Sequence, residues 1–148
     1  MSNIYNFPVL PGIAGGLYNV CIISQALVMA IILVVEDDFL ISLSAQIFLK
    51  DLGHHPLLAH DLSSALVHLN ASEHIDVLFV DVRLEALVFG GYDVANQAIV
   101  IRPHLRVLYT SGSTLTADMT ERFVMGGQFL PKPYLSHQLE ASVGGLLA

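Results

Sequence analysis

The sequence has little charge, and very little positive charge. Only 13% of its 148 residues are charged and 54% are hydrophobic, and 6 Lys and Arg stand against 13 Asp and Glu. Nucleic-acid binding needs clustered basic side chains that neutralise phosphates, so a formal net charge of −7 argues against such a partner. So few charges also indicate that much of the chain is buried on both sides, as parallel strands are.

The sequence also predicts neither an internal disulfide nor a membrane segment. Cys21 is the only cysteine, which excludes an internal disulfide and suits a reducing compartment. No basic region precedes the first apolar stretch, so a secretory signal is not predicted. Asn19, Ser24 and Gln25 interrupt the apolar run before Val35, which argues against a membrane span. We therefore predict a cytoplasmic protein with no membrane contact.

The first 35 residues contain no Asp, Glu, Lys, Arg or His, unlike the rest of the chain. Proline and glycine punctuate residues 8–16, which is typical of irregular structure. The length suits one domain. We predict that residues 1–28 are an irregular appendage and that residues 29–148 form the folded unit.

From Ala30 onward, short apolar runs alternate with longer amphipathic stretches, a rhythm typical of βα units. Strands are predicted at 30–35, 55–59, 75–80, 105–110 and 128–130, and helices at 38–53, 61–70, 91–102, 116–125 and 135–147. In the first helix the residues at helical spacing are Phe39 or Leu40, Leu43, Ile47, Phe48 and Leu52. Right-handed crossovers then predict an α/β fold with a doubly wound, parallel, five-stranded sheet.

Polar residues follow four of the predicted strands. They are Glu36, Asp37 and Asp38 after the first strand, Asp81 after the third, Ser111 after the fourth and Lys132 after the fifth. The carboxyl ends of parallel strands meet at one edge of the sheet, so these side chains should converge there. Two like charges 4 Å apart repel by about 4 kcal/mol at an effective dielectric of 20, so the acid cluster predicts a bound cation. Asp38 is better explained as the cap of the first helix.

The segments VVEDD, FVDVRL, YTSG and LPKPY stand at these strand ends, and together they resemble the receiver domain of bacterial two-component response regulators. The resemblance covers residues 29–148 and implies a flavodoxin-like strand order of 2-1-3-4-5. It implies phosphorelay signalling and no enzyme activity beyond self-directed phosphotransfer and autodephosphorylation. No sequence follows the fifth helix, so we expect a stand-alone receiver without an output domain.

The resemblance also implies a role for each site residue. Asp81 would be the phosphoacceptor, assisted by Lys132. Ser111, preferred to Thr110, would be both the hydroxyl at the site and part of the switch, with Phe129 as the switch aromatic.

Mg²⁺ is the implied cofactor. Its ligands would be Asp37, Asp81 and the backbone carbonyl of Arg83, hard oxygen donors of the kind that Mg²⁺ favours, with Glu36 completing the site through water.

The implied partners are a sensor histidine kinase or a histidine phosphotransfer protein, and a downstream protein target. Docking, or a homodimer, would use the fourth helix, fifth strand and fifth helix. The alternative is a receiver-like interaction module that is never phosphorylated. An aspartyl-phosphate phosphohydrolase is less favoured, because Arg83 stands where that chemistry needs a second acid.

Some points stay open at this stage. Phe129 could be plain core, and the Lys132–Pro133 bond could be cis or trans. The stretch VRLEALVFG is about two residues longer than in common receivers, and its apolar residues 86–89 could cover the site or meet a partner. The seven histidines show no metal-ligand spacing.

Overall fold

A computed structural model describes residues 29–84 and 90–148. Its elements are β1 (Ile31–Val35), α1 (Phe39–Asp51), β2 (His55–Ala59), α2 (Leu62–Asn70), β3 (Val77–Asp81), α3 (Gly90–Ile101), β4 (Arg106–Ser111), α4 (Ala117–Glu121), β5 (Gln128–Pro131) and α5 (Ser136–Leu147). All strand pairs are parallel, and the order is β2-β1-β3-β4-β5. The predicted fold and strand order are therefore confirmed. The predicted appendage 1–28 and the apolar loop residues 86–89 lie outside the described residues.

The sheet separates two apolar cores. One core packs α2, α3 and the residues after α4 against one face, and the other packs α1 and α5 against the opposite face. β3 is buried along its whole length, and four of the five residues of β1 are buried. These central strands are covered on both faces, which explains their continuous apolar runs.

The ends of α1 and α2 follow from local chemistry. Asp38 caps α1, since its side chain accepts hydrogen bonds from the N–H groups of Leu40 and Ile41 at 2.9 and 3.0 Å. Gly53 ends the turn after α1 with a φ of 82°, which favours glycine. Asp61 caps α2 through the N–H of Ser64 at 2.6 Å. Among the helices in the two described ranges, none has both the length and the apolar character needed to cross a membrane.

The buried side of α1 differs from the apolar set that helical spacing selected. The buried residues are Ser42, Ala45 and Leu49. Of the predicted set, Phe48 packs against the core, whereas Phe39 and Leu40 are among the most exposed apolar residues of the described chain. Apolar residues surround this helix on nearly every side, so periodicity alone cannot choose one face. The buried side of α1 is the one that carries the two small residues, Ser42 and Ala45.

α4 is shorter than predicted. The pattern predicted a helix over 116–125, but the observed helix ends at Glu121. Phe123 and Val124 leave the helix and pack into the core, and Gly126 turns the chain with a φ of 77°. Tertiary packing of these two side chains therefore overrides local helix propensity.

Candidate functional site

The register of the sheet brings two acidic residues side by side. Asp81 is the last residue of β3, and Glu36 directly follows Val35, whose register partner is Val80. Asp37 comes next in the chain. One carboxylate oxygen from each of Glu36, Asp37 and Asp81 lies within 4.8 Å of the others. Three of the four acids that were expected to converge thus lie together at the carboxyl edge of the sheet, whereas the Asp38 side chain caps α1.

Lys132 joins this cluster from the segment after β5. Its Nζ donates to Glu36 Oε2 at 2.6 Å and to Asp81 Oδ2 at 2.7 Å. All three side chains are nearly out of solvent, with exposed fractions of 13%, 4% and 10% for Lys132, Glu36 and Asp81. The Lys132 N–H donates to the Ser111 carbonyl at 2.8 Å, which ties this segment to β4, and the Lys132–Pro133 bond is cis. One ammonium group therefore bridges two buried carboxylates.

Burial and pairing act in opposite directions on these groups. Burial raises the pKa of Glu36, and the bond from Lys132 offsets only part of that rise. For Lys132, burial lowers the pKa, but the hydrogen bonds to Asp81 and Glu36 outweigh it and the net pKa is raised. Lys132 therefore stays cationic at neutral pH, while Glu36 is the acid whose charged form burial disfavours.

Backbone donors fix the remaining oxygens. The Asp38 N–H donates to Glu36 Oε1 at 3.3 Å, and the Arg83 N–H donates to Asp81 Oδ1 at 3.1 Å. Asp37 is exposed. The possible metal ligands are carboxylate oxygens, and those of Asp37 face solvent. A small hard cation such as Mg²⁺ prefers oxygen ligands and keeps several bound waters. The residues present therefore fit Mg²⁺.

The two candidate hydroxyls lie on opposite faces of β4, because successive strand residues alternate. Thr110 is the register partner of Asp81, and within the described residues its buried Oγ1 has no hydrogen-bond partner. Ser111 is buried and its Oγ accepts from the Ser113 N–H at 3.1 Å. Both hydroxyls are held at the edge that carries the acids, so the geometry leaves the preference for Ser111 as a prediction.

Phe129 belongs to a series of neighbouring aromatic rings that includes Phe123 and Tyr109. It is half-buried, and its ring centroid lies 6.2 Å from that of Phe123. Phe123 in turn stacks on Tyr109 at 4.2 Å with an interplanar angle of 10°. Phe129 is thus in contact with the core, and its role as a switch stays a prediction.

Sequence reasoning assigned no role to two neighbours of the cluster, Tyr134 and Gly91. Tyr134 packs edge-on against Phe79, and with Lys132 it lines a cavity of about 620 Å³ beside α1. Burial, followed by the charges of Glu36 and Asp81, raises the pKa of Tyr134. The only sequence signal was its place at the end of LPKPY.

Gly91 lies against the main chain of Asp81. An added Cβ there would overlap the Asp81 carbonyl, so only glycine lets α3 begin this close to the acid. The two glycines that precede Tyr92 were the available signal.

Solved structures give the relevant comparison, because no protein-family model matches the sequence. A search of curated proteins also finds no match. A response regulator receiver protein from Sinorhizobium medicae WSM419 matches with a TM-score of 0.72 and 27% identity, over 82% of this chain and 97% of that one. NtrX from Brucella abortus, crystallised with ADP, matches with a TM-score of 0.70 and 27% identity, over 80% of this chain and 26% of that one.

More distant neighbours agree in fold. A CheY-like receiver domain protein from Methanospirillum hungatei JF-1 has 20% identity and a TM-score of 0.71, over 80% of this chain and 94% of that one. The predicted resemblance is therefore confirmed: the chain has the fold of response regulator receivers, and at 27% identity it is similar to one of them over 82% of its length.

Proposed function

We propose that this chain is a phosphorelay receiver in which Asp81 accepts a phosphoryl group from a phosphohistidine. The donor is a sensor histidine kinase or a histidine phosphotransfer protein, and the domain, residues 29–148, works in the cytoplasm. The observation that carries the proposal is the Lys132 ammonium held between Glu36 and Asp81 at 2.6 and 2.7 Å. A neighbour at 27% identity that is a response regulator receiver protein supports the same function.

The chemistry begins at the Asp81 carboxylate. One of its oxygens attacks phosphorus and forms an acyl phosphate, while the P–N bond breaks and its electron pair passes to the imidazole nitrogen, which is then protonated. Glu36, Asp37, Asp81 and the Arg83 carbonyl would hold Mg²⁺. When bound, this ion supplies positive charge that offsets repulsion between the carboxylates and the phosphoryl oxygens.

Lys132 and Ser111 then respond to the new group. Lys132 already contacts Asp81, so its ammonium can pair with a phosphoryl oxygen without leaving the site. The Ser111 hydroxyl can donate to another phosphoryl oxygen. The backbone hydrogen bond between Lys132 and Ser111 links both residues to the end of β5. Movement of the two side chains toward the phosphoryl group would therefore also move Phe129 in β5. This movement would change the surface formed by α4, β5 and α5, which binds a downstream protein or a second copy.

Incubation with a small acyl-phosphate donor and Mg²⁺, followed by intact-mass measurement, tests the proposal. We expect the mass of one phosphoryl group to be added, and we expect hydroxylamine to remove it. Asp81→Asn should abolish labelling and Asp37→Asn should slow it, because the variant removes a predicted metal ligand.

Asp51→Asn is the matched control, because this exposed acid at the end of α1 lies outside the cluster. It should label like the wild type. Absence of labelling in the wild type, or labelling that survives in Asp81→Asn, would contradict the proposal and favour the interaction module that is never phosphorylated.

A further inference from the structure

Thr110 in β4 carries a buried hydroxyl group that makes no hydrogen bond within the described residues. The residue is only 2% exposed, so solvent does not supply the missing bond. A hydroxyl that leaves water without gaining a partner is unfavourable, and buried polar groups in folded proteins are nearly always paired. This hydroxyl is therefore available for a hydrogen bond that forms in another state of the protein.

Thr110 lies on the same face of the sheet as Asp81. Phe79 and Leu108 belong to the core that packs against α1 and α5. Successive strand residues alternate between faces, so Asp81 and Thr110, two positions further along the same strands, point to this side as well. The two residues are register partners in adjacent strands, which lie about 4.8 Å apart. The hydroxyl and the carboxyl group are therefore neighbours across the sheet.

The side chain of Lys132 crosses β4 at this level. Lys132 follows β5, and its Nζ reaches Asp81 at the end of β3, although β4 lies between these two strands. Thr110 is the register partner of both Asp81 and Leu130. It therefore stands between the start of the Lys132 side chain and the carboxylate that the ammonium group contacts.

We propose that Thr110 is a positioning residue that donates a hydrogen bond to Asp81 once Asp81 carries a phosphoryl group, an inference that rests on the proposed function. In the unmodified site, Asp81 Oδ2 accepts from Lys132 and Oδ1 accepts from the Arg83 N–H. When the ammonium group turns to a phosphoryl oxygen, an Asp81 oxygen loses its donor. The Thr110 hydroxyl replaces that donor and gains its own missing partner.

The proposal gives Thr110 a different effect in each state of the site. In the unmodified protein the unpaired hydroxyl is a cost, whereas in the phosphorylated protein it makes a bond. Thr110 therefore favours the phosphorylated form. Ser111 lies on the opposite face of β4, so the two hydroxyls have separate roles.

Affinity for beryllofluoride in the presence of Mg²⁺ tests the phosphorylated state, because this ion occupies a carboxylate as a phosphoryl group does. An amide NMR titration of the full chain gives the dissociation constant. Thr110→Val keeps the shape of the side chain and removes the hydroxyl, so we expect binding about three- to tenfold weaker than in the wild type. Thr110→Ser retains the hydroxyl and should bind within about twofold of the wild type.

The melting temperature in chelator, without beryllofluoride, tests the unmodified state. Thr110→Val should melt at least about 2 °C above the wild type, because a methyl group replaces a buried hydroxyl that has no partner. A residue that only supports the fold would not combine a higher melting temperature with weaker binding. Thr120→Val is the matched control, since it makes the same chemical change at an exposed position of α4 and should alter neither quantity.

Three results would overturn the proposal. Unchanged beryllofluoride affinity in Thr110→Val would overturn this inference and leave the proposed function intact. A lower melting temperature in Thr110→Val would mean that the hydroxyl is already paired in the unmodified protein. A wild type that neither binds beryllofluoride nor accepts a phosphoryl group would contradict the proposed function and this inference together.

Discussion

α5 and α4 cover the same end of the sheet from opposite faces, and they are attached very differently. α5 has 12 residues and buries Leu139, Val143 and Leu146 against β4 and β5. α4 has five residues and none of them is buried. The segment that follows α4 is held mainly by Phe123 and Val124, which meet Tyr109.

α5 is therefore firmly attached to the sheet, whereas α4 can rearrange at a low cost in free energy. Segments with few buried apolar contacts open at lower free energy than the core does. Lys132 and the acid cluster stand on the α5 side, where the support is firm. A change of charge at Asp81 would therefore move the α4 side more readily than the α5 side, because fewer contacts must be broken there.

The strongest test of the comparison removes one apolar side chain from each helix. Leu139→Ala should lower the free energy of unfolding by about 2–5 kcal/mol, because Leu139 is fully buried and its removal leaves a cavity. Met119→Ala in α4 should cost less than about 1 kcal/mol, because Met119 is only half-buried. Urea denaturation followed by circular dichroism measures both. Equal losses would show that the two helices support the fold equally.

Removal of the Lys132 ammonium group should have the next largest effect on the free energy of unfolding. Lys132→Met leaves Glu36 and Asp81 buried together without a counter-charge, and in chelator we expect a loss of about 3 kcal/mol in unfolding free energy. Added Mg²⁺ should narrow the difference, since the ion supplies positive charge to the same oxygens. Lys50→Met, a change of an exposed lysine in the last turn of α1, is the control and should stay close to the wild type. If both variants lose little, the ammonium bridge is not a structural support.

The fold was predictable because its signals are local and repeated. Continuous apolar strands, capping residues such as Asp38 and Asp61, and a terminal glycine such as Gly53 each restrict the chain independently, and together they leave one topology. The end of α4 was not predictable in this way. It depends on the space beside Tyr109 that draws Phe123 and Val124 out of the helix, and no local signal reports that space.

For the site, strand order predicted that the acids and Lys132 meet at one edge. It did not predict that Glu36 would be buried while Asp37 stays exposed, because adjacent residues leaving a strand can turn to either side. The buried face of α1 was missed for a related reason. Its small residues Ser42 and Ala45 are buried, and hydrophobic periodicity does not select them.

Removal of the Tyr109 hydroxyl, which binds the segment after α4, should have a smaller effect on the free energy of unfolding. The Val124 N–H donates to the Tyr109 hydroxyl at 3.1 Å in a buried position, and burial raises the pKa of Tyr109 to about 12. Tyr109→Phe should cost about 1–2 kcal/mol, because the buried N–H loses its acceptor while the ring stacking is kept. Hydrogen exchange should accelerate at Val124 more than in α5. Uniform acceleration over both regions would argue against a local attachment.

The smallest effect concerns Glu36 and depends on pH. Burial raises the pKa of Glu36 above its ordinary value of 4.5, so the folded state holds this proton more tightly than the unfolded state does. The contribution of Glu36 to stability therefore falls as the pH rises from about 4.5 through the folded pKa. Glu36→Gln cannot lose a proton, so in chelator at pH 7 it should be slightly more stable than the wild type, and the difference should vanish below pH 4.5. Melting temperatures across this range decide the sign, and a variant less stable at pH 7 would mean that the bond to Lys132 outweighs burial.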